Sequence, residues 1–490
     1  VGGEAQRPRA ALADMRRAAL AMFLLAVPGI AADLRERIAA AVASAPPAVR
    51  GMAGIQVVNL ATREFVYSLN ENQLFLPASN MKLFTAALAL TRLGPDYRFT
   101  TRLVREASGS LVLIGIGDPS LSARVYPYRA NATPGNPLQA IEALADQAIA
   151  NGLRRVDGDL IGDDRNFPWV PYPESWTADD IEHDFGAPVS ALTLNDNTVT
   201  VIVHPGARAG DLARIEISPA VEYFTLDNRI STSGNPSAVQ VKRVPGTRQL
   251  LLSGTVRTGT AAIREIVPVD DPALFAAHAL YETLLRRGIP IRGRPVARHT
   301  VPEAPVSGGE PLAEHISPPL HELLQTMMKV SQNLHAELLL RAVGSYRQSD
   351  ATIAGGLKEM RALLTEAGIA TADWRSEDAS GLARNDEVTP HAITQLLAYM
   401  LAKPEWRETW LSLLPVGGQD GTLSDRLCCM AGTTGIRAKT GSLSRAVALS
   451  GYADSPRNGR LAFSILVNSF AAPTSEVRAW VDRVATRLIE

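Results

Sequence analysis

Pro77-Ala78-Ser79-Asn80-Met81-Lys82-Leu83-Phe84-Thr85-Ala86-Ala87-Leu88-Ala89-Leu90 is the stretch on which the reading of this chain turns. Its alanine and leucine content favours helix, and Pro77 supplies a start signal. Ser79 and Lys82 are three apart and so share one face of that helix. A serine hydroxyl is a poor nucleophile until a neighbour takes its proton, and a lysine can do this only if burial or another cation lowers its pKa. The apolar run after Lys82 offers such a setting. Taken alone, the pair reads more simply as a helix-capping serine followed by a surface lysine.

Two further signatures follow in order. Ser331-Gln332-Asn333 precedes the helical run Leu334-His335-Ala336-Glu337-Leu338-Leu339-Leu340-Arg341. Residues two apart point away from each other on a helix, so a turn just before it is the better placement, with both side chains entering one cleft. There the serine can relay a proton and the asparagine amide can hold a substrate amide. Gly435-Ile436-Arg437-Ala438-Lys439-Thr440-Gly441 reads as a strand, followed by Ser442. A glycine inside a strand often marks a close approach of ligand or backbone. Lys439 supplies positive charge, and Thr440 and Ser442 supply hydroxyls for a carboxylate. Each signature has a plain structural alternative, a capping serine with a turn asparagine and a strand end with a turn glycine; their order and context raise the acyl-transfer reading above these.

The set resembles the penicillin-recognising serine enzymes, the group of penicillin-binding proteins and serine β-lactamases. Ser331 follows Ser79 by 252 positions (331 − 79 = 252), so a domain-sized segment lies between the first two signatures. That insertion, with Gly117-Asp118-Pro119-Ser120-Leu121, Gly186-Ala187-Pro188-Val189-Ser190-Ala191-Leu192, Ser380-Gly381-Leu382, Val388-Thr389-Pro390 and the run Leu414 to Leu423, is similar to the low-molecular-mass class C penicillin-binding proteins, the D-alanyl-D-alanine carboxypeptidase/endopeptidase family. The likeness runs from about residue 35 to the C-terminus. Gln332 stands where that family often has Asp, and Ser442 where Thr is usual.

The resemblance implies a serine D,D-peptidase acting on peptidoglycan stem peptides and acylated by β-lactam antibiotics. Ser79 would attack the penultimate D-alanine carbonyl, Lys82 as free amine would take the proton, and Ser331 would pass it to the leaving amine. Asn333 would hold a substrate amide, while Lys439, Thr440 and Ser442 would bind the terminal carboxylate beside Gly441. The N–H groups of Ser79 and Ser442 are the expected oxyanion donors. Trp176 and Asp179 match a family stretch that meets the free amine end of the stem, and Ser380, Gly381 and Leu382 are expected to line the same cleft. No metal or organic cofactor is required. A serine β-lactamase or a catalytically silent wall-binding protein stays open, as does the balance of carboxypeptidase and endopeptidase action.

Composition fits a globular enzyme. At 490 residues, 46% hydrophobic and 20% charged, the chain can bury more than one core, about two to four domains. A net charge of −1 gives no argument for nucleic acid or an anionic membrane surface. Cys428 and Cys429 are too close for a usual disulfide and are expected as two thiols, and eight scattered histidines lack metal-ligand spacing. Met15-Arg16-Arg17, the apolar stretch Ala18 to Val27 and Pro28-Gly29-Ile30-Ala31 read as an export signal cleaved after Ala31, too short to span a bilayer. Export to the periplasm or cell envelope follows; the alternative is a buried N-terminal helix.

The expected fold is α/β (α+β). About five antiparallel strands carry helices on both sides, assembled from the two chain ends and interrupted by a β-rich insertion. The strands expected are Ile55 to Leu60, Phe65 to Leu69, the Lys439 strand, Ala446 to Ala453 and Leu461 to Asn468, with helices at Asp33 to Ala43 and Ser475 to Ile489. Residues 1–31 are set aside as leader, 32–93 and 302–490 as the two parts of the transpeptidase-like domain, and 94–301 as an insertion of two nested domains.

Overall fold

The computed structural model describes residues 28–49, 52–299, 309–428 and 432–490. The export signal falls largely on residues 1–27, and Cys429 on 429–431, both outside the described residues. Cys428 is exposed.

Two ends of the chain build one five-stranded sheet. Its order is Ile436–Leu443, Ala446–Ser455, Gly459–Asn468, Ala53–Asn59 and Phe65–Leu69, antiparallel throughout. Side chains alternate across a strand, and here both alternating sets are apolar because both faces are covered. Val447, Leu449, Phe463, Ile465 and Val467 pack on the terminal helices Pro28–Ala43 and Thr474–Thr486 through Leu34, Ile38, Trp480 and Val484. Ala448, Tyr452, Ala462 and Leu466 face the other core, built from Met81–Leu93, Leu320–Lys329, Asn333–Gln348, Ile353–Glu366 and Pro390–Ala402. Met81–Leu93 is the axis of that helical layer: every residue from Met81 to Leu90 is buried.

The segment between these parts has its own core. A mixed sheet runs in the order Pro295–Arg298, Leu160–Asp163, Leu111–Ile114, Thr100–Arg105, Glu310–Ile316. Helices Gln139–Ala150 and Pro272–Arg286 share its apolar cluster. Two three-stranded sheets complete it, one centred on Thr198–His204 and one on Gln249–Arg257. Thr100 and Ile316 are cross-strand partners, so the chain enters and leaves this segment at neighbouring points. Asp196 ties it to the helical layer, accepting from Arg124 at 2.6 Å and meeting Nε2 of buried His335 at 3.2 Å.

A buried hydroxyl is one of the links between the sheet and the helical layer, beside the bond of Thr394 to Gln56. Tyr452 donates to the Leu397 carbonyl (2.6 Å) and accepts from Trp410 Nε1 (2.8 Å). Tyr452→Phe orphans both groups in a dry interior, and should lower unfolding stability by about 1–3 kcal/mol; urea unfolding measures it, with penicillin labelling unchanged.

Candidate active site

Three elements bring the polar residues together. The chain enters the Met81–Leu93 helix through a short 3-10 turn, Ala78–Asn80, with Ala78 in the left-handed region at φ 48°. A non-glycine residue there is strained and persists only where its surroundings hold it. Two contacts do so. Gly381, at φ 79°, leaves no room for a side chain: a Cβ would stand 1.9 Å from the Ala78 carbonyl oxygen. Gly441 brings its strand close as well, with a Cβ 2.7 Å from the Pro77 carbonyl oxygen. Asn80 Nδ2 donates to the Lys439 carbonyl at 3.1 Å and closes the third side. Ser79 is therefore set at the bend, half-buried.

Lys82 lies one turn on, fully buried. Its Nζ is 2.9 Å from Ser79 Oγ, 2.6 Å from Asn333 Oδ1 and 2.7 Å from the Ser380 carbonyl oxygen. The last two oxygens can only accept. Asn333 is held in that sense because its Nδ2 donates to the Phe185 carbonyl at 2.9 Å. A neutral amine has two N–H bonds and one lone pair; with both hydrogens committed to these oxygens, the lone pair is left for the Ser79 hydroxyl. Burial pulls the Lys82 pKa down to about 7, against the opposing pull of Asp378, Glu337 and Asp386.

Ser331, at φ 62°, ends the turn before the helix that Asn333 opens, and Gln332 caps that helix by accepting from Leu334 N. Lys439 Nζ donates to Ser331 Oγ (2.8 Å) and to the Thr440 carbonyl (2.9 Å). It too is fully buried, and burial with the neighbouring Lys82 charge holds its pKa well below the ordinary lysine range. Thr440 donates to Thr422 Oγ1 at 2.7 Å, and Ser442 is exposed at the end of the same strand. Thr422 was not expected at the site. It arrives because Gly421, φ 57°, packs on the Lys329 carbonyl, while Lys329 bonds Asp420 at 2.6 Å.

Ser380 and Leu382, expected at the cleft, are buried: Ser380 Oγ donates to Asp378, and Leu382 packs with Trp176, Leu334 and Leu338. What this segment gives the site is the Ser380 carbonyl on Lys82 and the Gly381 contact behind Ala78. Trp176 is 8% exposed, with its Nε1 donating to Asp378 at 2.9 Å. Asp179 is exposed, whereas its neighbour Asp180 is buried and paired with Arg384 at 2.9 Å. Glu337 and Asp378, both buried behind Lys82, carried no role in the sequence reading; an acidic residue two places before Ser380-Gly381 was the available signal.

A cavity of about 450 Å³ reaches Val330, beside Ser331, and is lined by Tyr128, Arg124 and Thr326. Another of about 700 Å³, lined by Phe65, His391 and Gln395, shares no residue with the cluster. Among the described residues no group of three His, Cys, Asp or Glu could hold a metal, and no helix is long and apolar enough to cross a membrane.

This is the mixed α+β architecture of penicillin-binding proteins. Penicillin-binding protein 4 of Haemophilus influenzae superposes with a TM-score of 0.77 at 24% identity, covering 94% of this chain and 98% of that one. The same protein complexed with a β-lactam gives 0.73 at 22% identity, covering 93% and 99%. The profile of the D-Ala-D-Ala carboxypeptidase 3 (S13) family matches residues 34–488, and the chain belongs to that family. The D-alanyl-D-alanine carboxypeptidase of Actinomadura sp. (strain R39) is 35% identical over 478 residues, 94% of this chain and 85% of the relative. The D-alanyl-D-alanine carboxypeptidase DacB of Haemophilus influenzae is 26% identical over 431 residues, 85% of each. The protein is a serine-type D,D-carboxypeptidase of peptidoglycan metabolism.

Gly381→Ala tests the support behind the bend. The added methyl collides with backbone at a positive φ, so it should cost more than about 1 kcal/mol of stability and slow penicillin acylation; unfolding and labelling rates measured together check this.

Proposed function

We propose that Ser79 is the nucleophile, Lys82 its base, and Ser331, Asn333 and Lys439 the groups that carry the proton onward and hold the substrate. The observation that carries this reading is the Lys82 amine, buried, near-neutral, and bounded on two sides by oxygens that cannot donate. Its lone pair then takes the Ser79 proton as the hydroxyl attacks the penultimate D-alanine carbonyl of a stem peptide. N–H groups of Ser79 and Ser442 receive the oxyanion; losing such a donor typically costs about 100- to 1000-fold in rate. Ser331, bonded to Lys439, relays a proton to the departing amine, and water later cleaves the ester.

Lys439, Thr440 and Ser442 take the substrate's terminal carboxylate. Terminal D-alanine removal and D,D cross-link cleavage break a bond on the same side of the same acyl donor, so both reactions are proposed. Asp179, exposed and acidic, attracts the ammonium of the stem. β-Lactams acylate Ser79, as the complex of the similar H. influenzae protein suggests. Residues 1–31 direct export to the periplasm or envelope. The transpeptidase-like part is formed by residues 32–93 and 302–490, interrupted by the insertion at 94–301; the pairing of Glu310–Ile316 with Thr100–Arg105 supports an end to the insertion somewhat beyond 301.

Fluorescent penicillin should label the protein and fail to label Ser79→Ala; unlabelled, well-folded wild type contradicts the reading. Acylation should fall by about tenfold per pH unit below pH 7, because the protonated amine has no lone pair to offer; a rate unchanged down to pH 5.5 removes Lys82 as base. Mass spectrometry of muropeptides should show both D-alanine release and dimer cleavage. Asp179→Ala should weaken hydrolysis of amine-bearing peptides and spare penicillin acylation; equal loss of both rejects the ammonium role.

A further inference from the structure

We infer that Asp378 is a positioning residue for the acylation step, fixing the Ser380 carbonyl on the Lys82 amine and setting the charge behind it, and that Trp176 of the inserted segment holds Asp378 in place. The inference rests on the reading of Lys82 as the base. Asp378 is 1% exposed and gathers one turn of backbone onto its carboxylate: the N–H groups of Ser380 (3.0 Å), Gly381 (2.7 Å), Leu382 (3.0 Å) and Ala383 (2.9 Å) all donate to it, and so does Ser380 Oγ (3.0 Å). A carboxylate with several N–H donors closes such a turn tightly. The turn leaves the Ser380 carbonyl pointing at Lys82 Nζ, 2.7 Å away.

Direction is what this carbonyl supplies. Without it one N–H of the neutral amine is free to turn toward Ser79, and the lone pair turns away. From outside the turn Trp176 Nε1 donates to Asp378 Oδ2 at 2.9 Å, and the Asp386 carboxyl is a second side-chain partner. The only route from the inserted segment to the amine through Asp378 among the described bonds is this indole, while Phe185 reaches the same amine through Asn333.

The other charged groups around Lys82 are accounted for. Glu337 accepts from Ala379 N and Ser380 N and pairs with Arg341 at 3.1 Å; burial and Asp378 push its pKa up to about 7. Asp386, with its pKa raised well above the usual range by burial and Asp378, accepts from Glu377 N. Lys439 is the remaining cation, and its pKa is held low. Asp378 is thus the carboxyl that raises the pKa of both acidic neighbours behind the amine.

Two substitutions move the amine's titration in opposite senses. Asp378→Asn removes a negative charge near Lys82, which favours the neutral amine, so the acidic limb of the acylation pH profile should shift down by about one unit while the plateau rate drops. Trp176→Phe removes a donor that offsets the Asp378 charge, so the limb should shift up by a smaller amount. Asp378→Glu should keep the wild-type limb but not the plateau, since the charge stays and the turn does not fit. Fluorescent penicillin acylation across pH 5 to 9, with melting temperatures alongside, reads all three. Opposite limb shifts support the inference; limbs that stay at the wild-type pH in Asp378→Asn and Trp176→Phe, whatever the rates do, overturn it. Should Asp378→Asn not fold, the sign of the Trp176→Phe shift decides. A wild type without a limb near pH 7 fails the Lys82 reading, a different result from a wild-type limb that neither substitution moves.

Discussion

An ammonium taken out of water must be compensated or must lose its proton, and the rest of this structure is arranged around that constraint at Lys82. The side chain is fully buried, and a second lysine, Lys439, is buried in the same cluster. Burial lowers the pKa of both lysines, and the Lys82 charge lowers that of Lys439 further. Glu337 and Asp378 pull the other way. The balance leaves Lys82 near neutrality, able to accept a proton and to return it. A fully compensated lysine would stay charged and be useless as a base; one with no anion nearby would be too weakly basic.

The fold serves this arrangement by bringing three distant stretches to one point. A sheet completed from both chain ends sets the Lys439 strand beside the Ser79 bend, and glycines at 381 and 441 let backbone approach backbone there. The inserted segment begins and ends at paired residues, Thr100 and Ile316, so its size places no strain on the sheet. It is not a passive appendage. Phe185 orients the Asn333 amide, Trp176 reaches Asp378, and Asp196 meets His335 on the helix that follows Asn333.

Much of this was legible in the sequence, for physical reasons that differ by element. The sheet strands at 446–455 and 459–468 are continuous apolar runs because both faces are buried, and the Met81 helix announces itself by composition. Ser331 lies in a turn ahead of a helix, as expected, whereas Asn333, expected in the same turn, is the first residue of the helix. Thr225–Ser233 escaped notice: its residues are polar and mostly part-exposed, and pairing with Gln249–Arg257 rather than apolar content makes it a strand. The Ser380-Gly381-Leu382 motif marks proximity to the site, but that the Ser380 carbonyl is the group on Lys82 is something no residue identity reveals. Asp378 was missed for the same reason, since most of its partners are backbone N–H groups.

The central claim is that the Lys82 amine is near-neutral in the resting enzyme, and NMR titration of isotopically labelled lysine side chains, assigned by Lys82→Arg, tests it most directly. The account predicts that one lysine titrates near pH 7 and that this signal changes when Ser79 is acylated by penicillin. A Lys82 signal that titrates near the ordinary lysine value of 10.5 would contradict it.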